Sequence, residues 1–493
     1  MVNYFTRSSV ILLIFSSLTL KGQTGIYVPE LEIFDSKMQE LLIDYQIPGG
    51  QCAITYEGRL VYDRGFGYAD TATQKLVQPE SIFRLASISK SITSVAAMYL
   101  FENGLLNLDE KVFGSDGILN DPIYQYAIDS RYFDITVRQL LNHSAGFIFV
   151  YPSDPLFMTY DIAIAMGVPP PTDSIELVIN WTLNNVMLSY TPGTSASYCN
   201  FVYAVLGKVI EEITGMDYEE FVRNEIMLPI DITNMHAGRT LLQDTLPGEV
   251  TYYDYPGAPL MTSIYTGIPN SVPAQYGGYN WEIMTAAGGW VASAHDLCKW
   301  LIAVDRFPTK PDILLPATID TMTAPSINWP QYALGWKLSG GDYWNAGGIQ
   351  GTCTVIKRNG QHQLNWAILF NSLPQNYGPF YIAFMDLVTD ELQNIERWPT
   401  HDLFDLITGF DETNFPPSLN MFPNPSDGIF YFTHPANVQS IEIYNQYGKL
   451  AYSDPDFKIK SVNSINLKDF QKGMYVVKAK NGNKYLTNKI IIQ

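Results

Sequence analysis

One change of pattern constrains the fold of this chain more than any other. Up to about residue 400, alternating strand-like runs stand at both ends of a long stretch with helical periodicity. Past Pro416-Pro417 the helical periodicity stops, and only short alternating runs follow, with turn signals at Tyr447-Gly448 and Asn481-Gly482. Two hydrophobic cores of different kind are therefore expected. The first is an α+β domain, an antiparallel sheet flanked by helices with a helical subdomain. The second is a small all-β sandwich. The segment THDLFDLITGFDETNFPPSLN reads as the linker between them.

Within the first domain the spacing predicts a helix over about Leu31–Tyr45, ended by Pro48-Gly49-Gly50. A hairpin follows, QCAITY and RLVYDRG around Glu57-Gly58. A second hairpin, TCTVIK and QLNWAILFN around Asn359-Gly360, and a helix over about Tyr381–Ile395 close the domain. The N-terminus has the pattern of a secretory signal, with Arg7, an apolar core over Val10–Leu20 and small Gly22 before a cut ahead of Gln23. The expected division is 1–22 signal peptide, 23–400 first domain, 401–418 linker and 419–493 sandwich. That apolar core is too short to span a bilayer, and no membrane span is expected in the mature protein. A net charge of −19 argues against nucleic acid as a partner. Cys52, Cys199, Cys298 and Cys353 form no CxxC pattern, and each lies in an apolar run, so buried free thiols are expected.

The chemistry centres on FRLASISKSITSVAAMYLFENG. An extended approach leads into a helix whose apolar face is Ile92, Val95, Ala96, Met98 and Leu100. Ser87 and Lys90, three apart at its start, share a face, so an amine stands within reach of a hydroxyl at a helix N-terminus. That arrangement makes a serine nucleophilic without a histidine. A second segment, TPGTSASYCNFVYAVLGKVIEEITG, sets Tyr198 and Asn200 in a loop just before an amphipathic helix. The tyrosine can relay the serine proton, and Asn200 can hydrogen-bond the lysine and a substrate amide. A third, Gly-rich stretch around Asn345, Gly347 and Gly348 leads into the last hairpin. There a main-chain N–H paired with that of Ser87 would form an oxyanion hole. No His-Glu-x-x-His or similar cluster points to a metal, and no cofactor is expected. His143 and His295 read as structural, the first a satisfied structural histidine, the second a surface or capping residue.

In order and context these segments resemble the serine β-lactamase and penicillin-binding protein superfamily, within it the class C β-lactamase-like group, over about Leu31 to Ile395. Ser87–Lys90 matches the Ser-x-x-Lys element, Tyr198–Asn200 the Tyr-x-Asn element, and Asn345-Ala346-Gly347 falls on the Lys/His-x-Gly element. ITVRQLLNHSAGF, AAGGWVASAHDLCKWL and YALGWKL look like family framework. The resemblance implies that Ser87 forms an acyl-enzyme, with Lys90 and Tyr198 handling the proton. Asn200, Asn345 and Gly347 would contact substrate, and the N–H groups of Ser87 and Gly348 would form the oxyanion hole. Asn345 departs from the pattern, since the family has a cation there. A unit charge about 6 Å away at an effective dielectric of 20 is worth roughly 3 kcal/mol, or about two pKa units. Its loss predicts a preference for neutral esters or amides over carboxylate-bearing β-lactams. The alternatives are a true β-lactamase or D-alanyl-D-alanine carboxypeptidase, or a binding protein of this fold with impaired turnover.

From Leu419 the tail resembles the sorting domain of type IX secretion, through Phe422-Pro423-Asn424-Pro425-Ser426-Asp427-Gly428, IEIYNQYGKL, GMYVVK and KIIIQ. The resemblance implies export across both membranes to the cell surface or outside. The expected partners are the secretion machinery and a small-molecule or peptide substrate.

Overall fold

The computed structural model describes residues 22–149, 151–266 and 270–405. Beyond 419 it describes 420–422, 426, 428–433, 438–445, 449–454, 463–481 and 484–492. The signal segment up to residue 21, most of the linker, and the turns at Tyr447-Gly448 and Gly482 lie outside the described residues. Two compact units divide the chain, Met1–Asp405 and Leu406–Gln493.

The first unit is built on one eight-stranded antiparallel sheet. Its main strands are β1 (Gln23–Gly25), β2 (Gly49–Tyr56), β3 (Arg59–Asp70), β4 (Lys337–Ser339), β5 (Asp342–Ile349), β6 (Thr352–Asn359) and β7 (Leu364–Phe370). They run in the order β1-β3-β2-β7-β6-β5-β4, with Lys75–Leu76 added on β3. The sheet joins the two ends of the unit, since β7 pairs with β2 in the register Trp366↔Ile54 and Ala367↔Ala53.

Alternation along the strands fills two cores. On one face Cys52, Ile54, Trp366, Ile368 and Phe370 pack against Phe34 and Met38 of helix α1 (Glu32–Asp44), and against Phe380, Phe384 and Val388. On the other, Ala53, Ile356, Ala367 and Leu369 belong with helix α2 (Ser89–Glu102) and the helical subdomain. That subdomain includes α3 (Thr159–Met166), α4 (Ile175–Asn185) and α5 (Phe201–Thr214). Helix α6 (Ala294–Ile302) adds Leu297, Trp300 and Leu301 to the same core.

The helix expected over about Tyr381–Ile395 is instead two, α7 (Tyr377–Met385) and α8 (Leu387–Glu391). Between them Asp386 leaves helical geometry at φ −106° and ψ 6°, and its carboxylate meets Lys357 Nζ of β6 at 3.1 Å. Pro379 sits in the first turn of α7, where no intrahelical N–H bond is lost.

The second unit contains a three-stranded and a four-stranded antiparallel sheet. Strands β8 (Asn420–Phe422), β9 (Ile429–Thr433) and β12 (Asn463–Asn466) run in the order β8-β9-β12. Strands β10 (Val438–Asn445), β11 (Leu450–Asp454), β13 (Gly473–Asn481) and β14 (Lys484–Ile492) run β11-β10-β13-β14. Phe430, Ile441, Ile443, Ile465, Val477 and Ile490 form its buried core.

Candidate active site

The turn that carries Ser87 is held in a backbone conformation that side chains resist. Ala86 has φ +47°, in the left-handed region, immediately before Ser87. Hydrogen bonds on both sides hold it there. Arg84 N–H donates to Tyr252 Oη (2.9 Å), and Leu85 N–H to the Trp290 carbonyl (2.8 Å). The Thr352 and Thr354 hydroxyls of β6 donate to the Arg84 and Leu85 carbonyls at 2.7 and 2.8 Å.

Strand β5 supplies the opposing edge. β4 pairs only with its first three residues, 342–344, leaving the edge of 345–349 without a strand partner. The Ser87 turn packs on the face of this stretch, beside that edge. A Cβ on Gly347 would lie 2.2 Å from the Leu85 carbonyl oxygen and 2.9 Å from Ala86 Cβ. The bare α-carbon of Gly347 thus makes room for the chain's own nucleophile turn rather than for a substrate, which corrects the expected contact. Gly348, one residue on, is exposed on the same edge.

Helix α2 then brings Lys90 to Ser87, with Nζ 3.2 Å from Oγ. Lys90 is fully buried. Its ammonium also donates to Asn200 Oδ1 (2.8 Å) and to the Ala287 carbonyl (2.6 Å). Burial lowers its pKa to about 7; the Asp154 charge opposes that shift and the Lys337 charge adds to it. The Tyr198 hydroxyl donates to Ser87 Oγ at 2.7 Å. Burial raises the Tyr198 pKa, so this phenol stays protonated at neutral pH. Lys90 Nζ lies 4.9 Å from the Tyr198 ring centroid. Ser87, Lys90, Tyr198 and Asn200 therefore share one hydrogen-bonded cluster, with Ser87 half-buried.

The loop that presents Tyr198 is clamped by His143. Its carbonyl accepts from Ser197 N–H at 3.0 Å, and its Nδ1 accepts from Cys199 N–H at 3.3 Å. Nε2 therefore carries the proton and donates to Tyr332 Oη at 3.1 Å. Burial holds the His143 pKa well below its usual value, so the ring is neutral. It packs on Tyr198 with centroids 4.5 Å apart.

Asp154 was not among the expected site residues. Its Oδ2 accepts the N–H groups of Asn200 (2.8 Å) and Phe201 (3.4 Å), so it caps α5 from outside and leaves the Asn200 side chain free for Lys90. The Asp154-Pro155 pair signals a local cap, which its Oδ1 makes with Leu156 N–H. Nothing local signals its reach to residue 200.

Two further expectations are corrected. The Asn345 side chain is 1% exposed, and both its polar atoms are used inside the protein. Nδ2 donates to Ser91 Oγ (2.9 Å) and the Gly335 carbonyl (3.2 Å), while Oδ1 accepts from Ala346 N–H. Without charge, Asn345 fits into the α2 face of the sheet and is not available to substrate. His295 is half-buried and caps no helix. Its Nδ1 lies 2.8 Å from Oδ2 of buried Asp63, which raises the His295 pKa, while Ser293 caps α6. A buried carboxylate on β3 requires such a partner. All four cysteines are free and buried. Among the described residues no cluster of His, Cys, Asp and Glu could hold a metal.

Comparison with known proteins places the fold. The beta-lactamase family model matches residues 34–385, and the secretion system C-terminal sorting domain model matches 420–493. Penicillin-binding protein 4* of Bacillus subtilis (strain 168) is 28% identical over 204 residues, 40% of this chain and 39% of that protein. The chain thus spans about two fifths of the length of the curated relatives it matches. Among solved structures, the D-amino acid amidase from Ochrobactrum anthropi SV3 complexed with L-phenylalanine amide shares the fold. It has a TM-score of 0.55 at 19% identity, covering 73% of this chain and 98% of that one. EstCE1, a hydrolase with promiscuous acyltransferase activity, shares it with a TM-score of 0.57 at 22% identity, covering 73% and 99%.

Proposed function

Because this chain belongs to the beta-lactamase family of serine hydrolases, we propose that it hydrolyses an ester or amide through an acyl-enzyme on Ser87. The C-terminal sorting domain assigns the chain to type IX secretion and hence to the cell surface or outside. The observation that carries the reading is that one half-buried hydroxyl receives both an amine and a phenol whose proton affinities differ.

The proton path follows from the donors. Charged Lys90 spends three N–H groups on three acceptors. Once neutral, its two N–H groups remain on the closer ones, the Ala287 carbonyl at 2.6 Å and Asn200 Oδ1 at 2.8 Å. The lone pair then faces Ser87 Oγ at 3.2 Å. With Tyr198 already donating to Oγ, the serine proton points to Lys90. Ser87 loses it to Lys90 as Oγ bonds to the substrate carbonyl carbon. The Ser87 and Gly348 N–H groups receive the developing oxyanion. Tyr198 passes a proton to the leaving alkoxide or amine and is reprotonated from Lys90. A water then attacks the acyl-enzyme by the reverse relay, releasing the acid and restoring Ser87.

A fluorophosphonate probe and a panel of aryl esters, aminoacyl amides and a chromogenic β-lactam test this. Wild-type protein should be labelled at Ser87 and turn over at least one ester or amide, and Ser87→Ala should do neither. Equal labelling and turnover by Ser87→Ala would overturn the reading.

A further inference from the structure

Asn345 leaves its own position without a charge, yet the site is not without a cation. Lys337 opens β4, and its register partner is Trp344, the residue before Asn345. Its ammonium lies 4.7 Å from the Trp344 ring centroid. On its other side Lys337 bridges to Tyr332, whose hydroxyl holds His143, the ring that packs on Tyr198. Lys337 is near enough to Lys90 and His143 for its charge to lower the pKa of both. The side chain is half-buried, and no carboxylate lies within ion-pair distance of it among the described residues.

This is an unusual state for a lysine in a chain with 49 acidic residues. The other partly buried lysines of the first unit, Lys37, Lys208 and Lys299, each have a carboxylate within 3.3 Å, and buried Lys357 has one at 3.1 Å. An ammonium removed from water with only an aromatic face beside it is left short of compensation. Burial lowers the Lys337 pKa, and no anion opposes that shift. A ligand anion would supply the missing partner. The free edge of β5 begins one residue beyond Trp344, so a substrate laid along 345–349 with its carbonyl near Gly348 would have one end beside Lys337.

We propose that Lys337 is a specificity-determining residue which receives an anionic group of the substrate, so that this hydrolase favours acyl compounds bearing a carboxylate. The cation comes from β4, beside the position on β5 that lacks one. The inference rests on the acyl-enzyme reading above and reverses the preference for neutral substrates that Asn345 alone predicts.

A matched pair of esters tests it: 3-carboxyphenyl acetate and 3-carbamoylphenyl acetate, equal in size and differing by one charge. The kcat/KM ratio of the first to the second should exceed one in the wild type and fall about tenfold in Lys337→Met, the size of one ion pair in a partly dry site. Lys337→Arg should keep most of the ratio. Lys337→Gln, checked with Lys337→Met by melting temperature, repeats the test should the methionine variant fold poorly. Calorimetric binding of the same pair to Ser87→Ala, with and without Lys337→Met, reads the charge preference without turnover. An unchanged ratio in both the methionine and glutamine variants, or equal binding of the two esters to Ser87→Ala, overturns the proposal. If hydrolysis persists in Ser87→Ala, the nucleophile assignment fails, while the binding comparison still decides the role of Lys337.

Discussion

Lys90 is asked to be a base at a pH where an ordinary lysine is an acid. Burial brings its pKa to about 7, so the neutral amine predominates only above that value. Log kcat/KM should therefore rise with unit slope up to about pH 7 and level off above it, in a pH–rate series on any turned-over ester. Stability follows the same group. The unfolded lysine titrates near 10.4, so between about 7 and 10.4 the unfolded chain binds the extra proton. The Lys90 contribution to stability accordingly increases with pH across that window. Urea unfolding at pH 7 and pH 9.5 should show this increment in the wild type and lose it in Lys90→Met. Asp154 works in the opposite sense, its charge raising the Lys90 pKa. Asp154→Asn retains an oxygen to cap Asn200 but removes that charge, so the acid limb of the pH profile should move to lower pH.

Elements set what single residues cannot. Strand β5 reaches the Ser87 turn only because position 347 has no side chain. Gly347→Ala would force a Cβ toward the Leu85 carbonyl, 2.2 Å away. The turn must shift, and a displacement of about 1 Å at a nucleophile costs on the order of 100-fold in kcat/KM. Kinetics and a melting curve on the same preparation should show activity falling much further than stability. This is also the scale at which local sequence pattern ceases to report contacts. Ser87 with Lys90, and Tyr198 with Asn200, are pairs whose partners lie within one helical turn or one loop, so spacing along the chain reports them. The environment of Asn345 depends on Ser91, 254 residues away in sequence. That of Lys337 depends on a strand pairing that no local pattern announces. His143 and Asp154 act on the Tyr198 loop from 56 and 46 residues away. Contacts of that kind are decided by the packing of the whole subdomain.

At the scale of the molecule, hydrophobic alternation made both hairpins visible, because each strand buries opposite faces in different cores. The order β1-β3-β2-β7-β6-β5-β4, which sets the last hairpin beside the first, follows from pairing the two ends of the unit in one sheet and carries no turn signal. The unit ending at Asp405 has its own sheet, two cores and all the clustered site residues. A chain stopped there should keep kcat/KM within about twofold of the full-length protein, as independent domains do, while a fractionated culture should show it retained inside the outer membrane. Within that unit Cys52, Cys199, Cys298 and Cys353 are buried as free thiols. In an oxidising exterior, opening uncovers groups that cross-link over seconds to hours, far more slowly than a domain recloses. The unit's service life outside is then governed by the small fraction of molecules standing open at any moment, and each cross-link is a one-way loss.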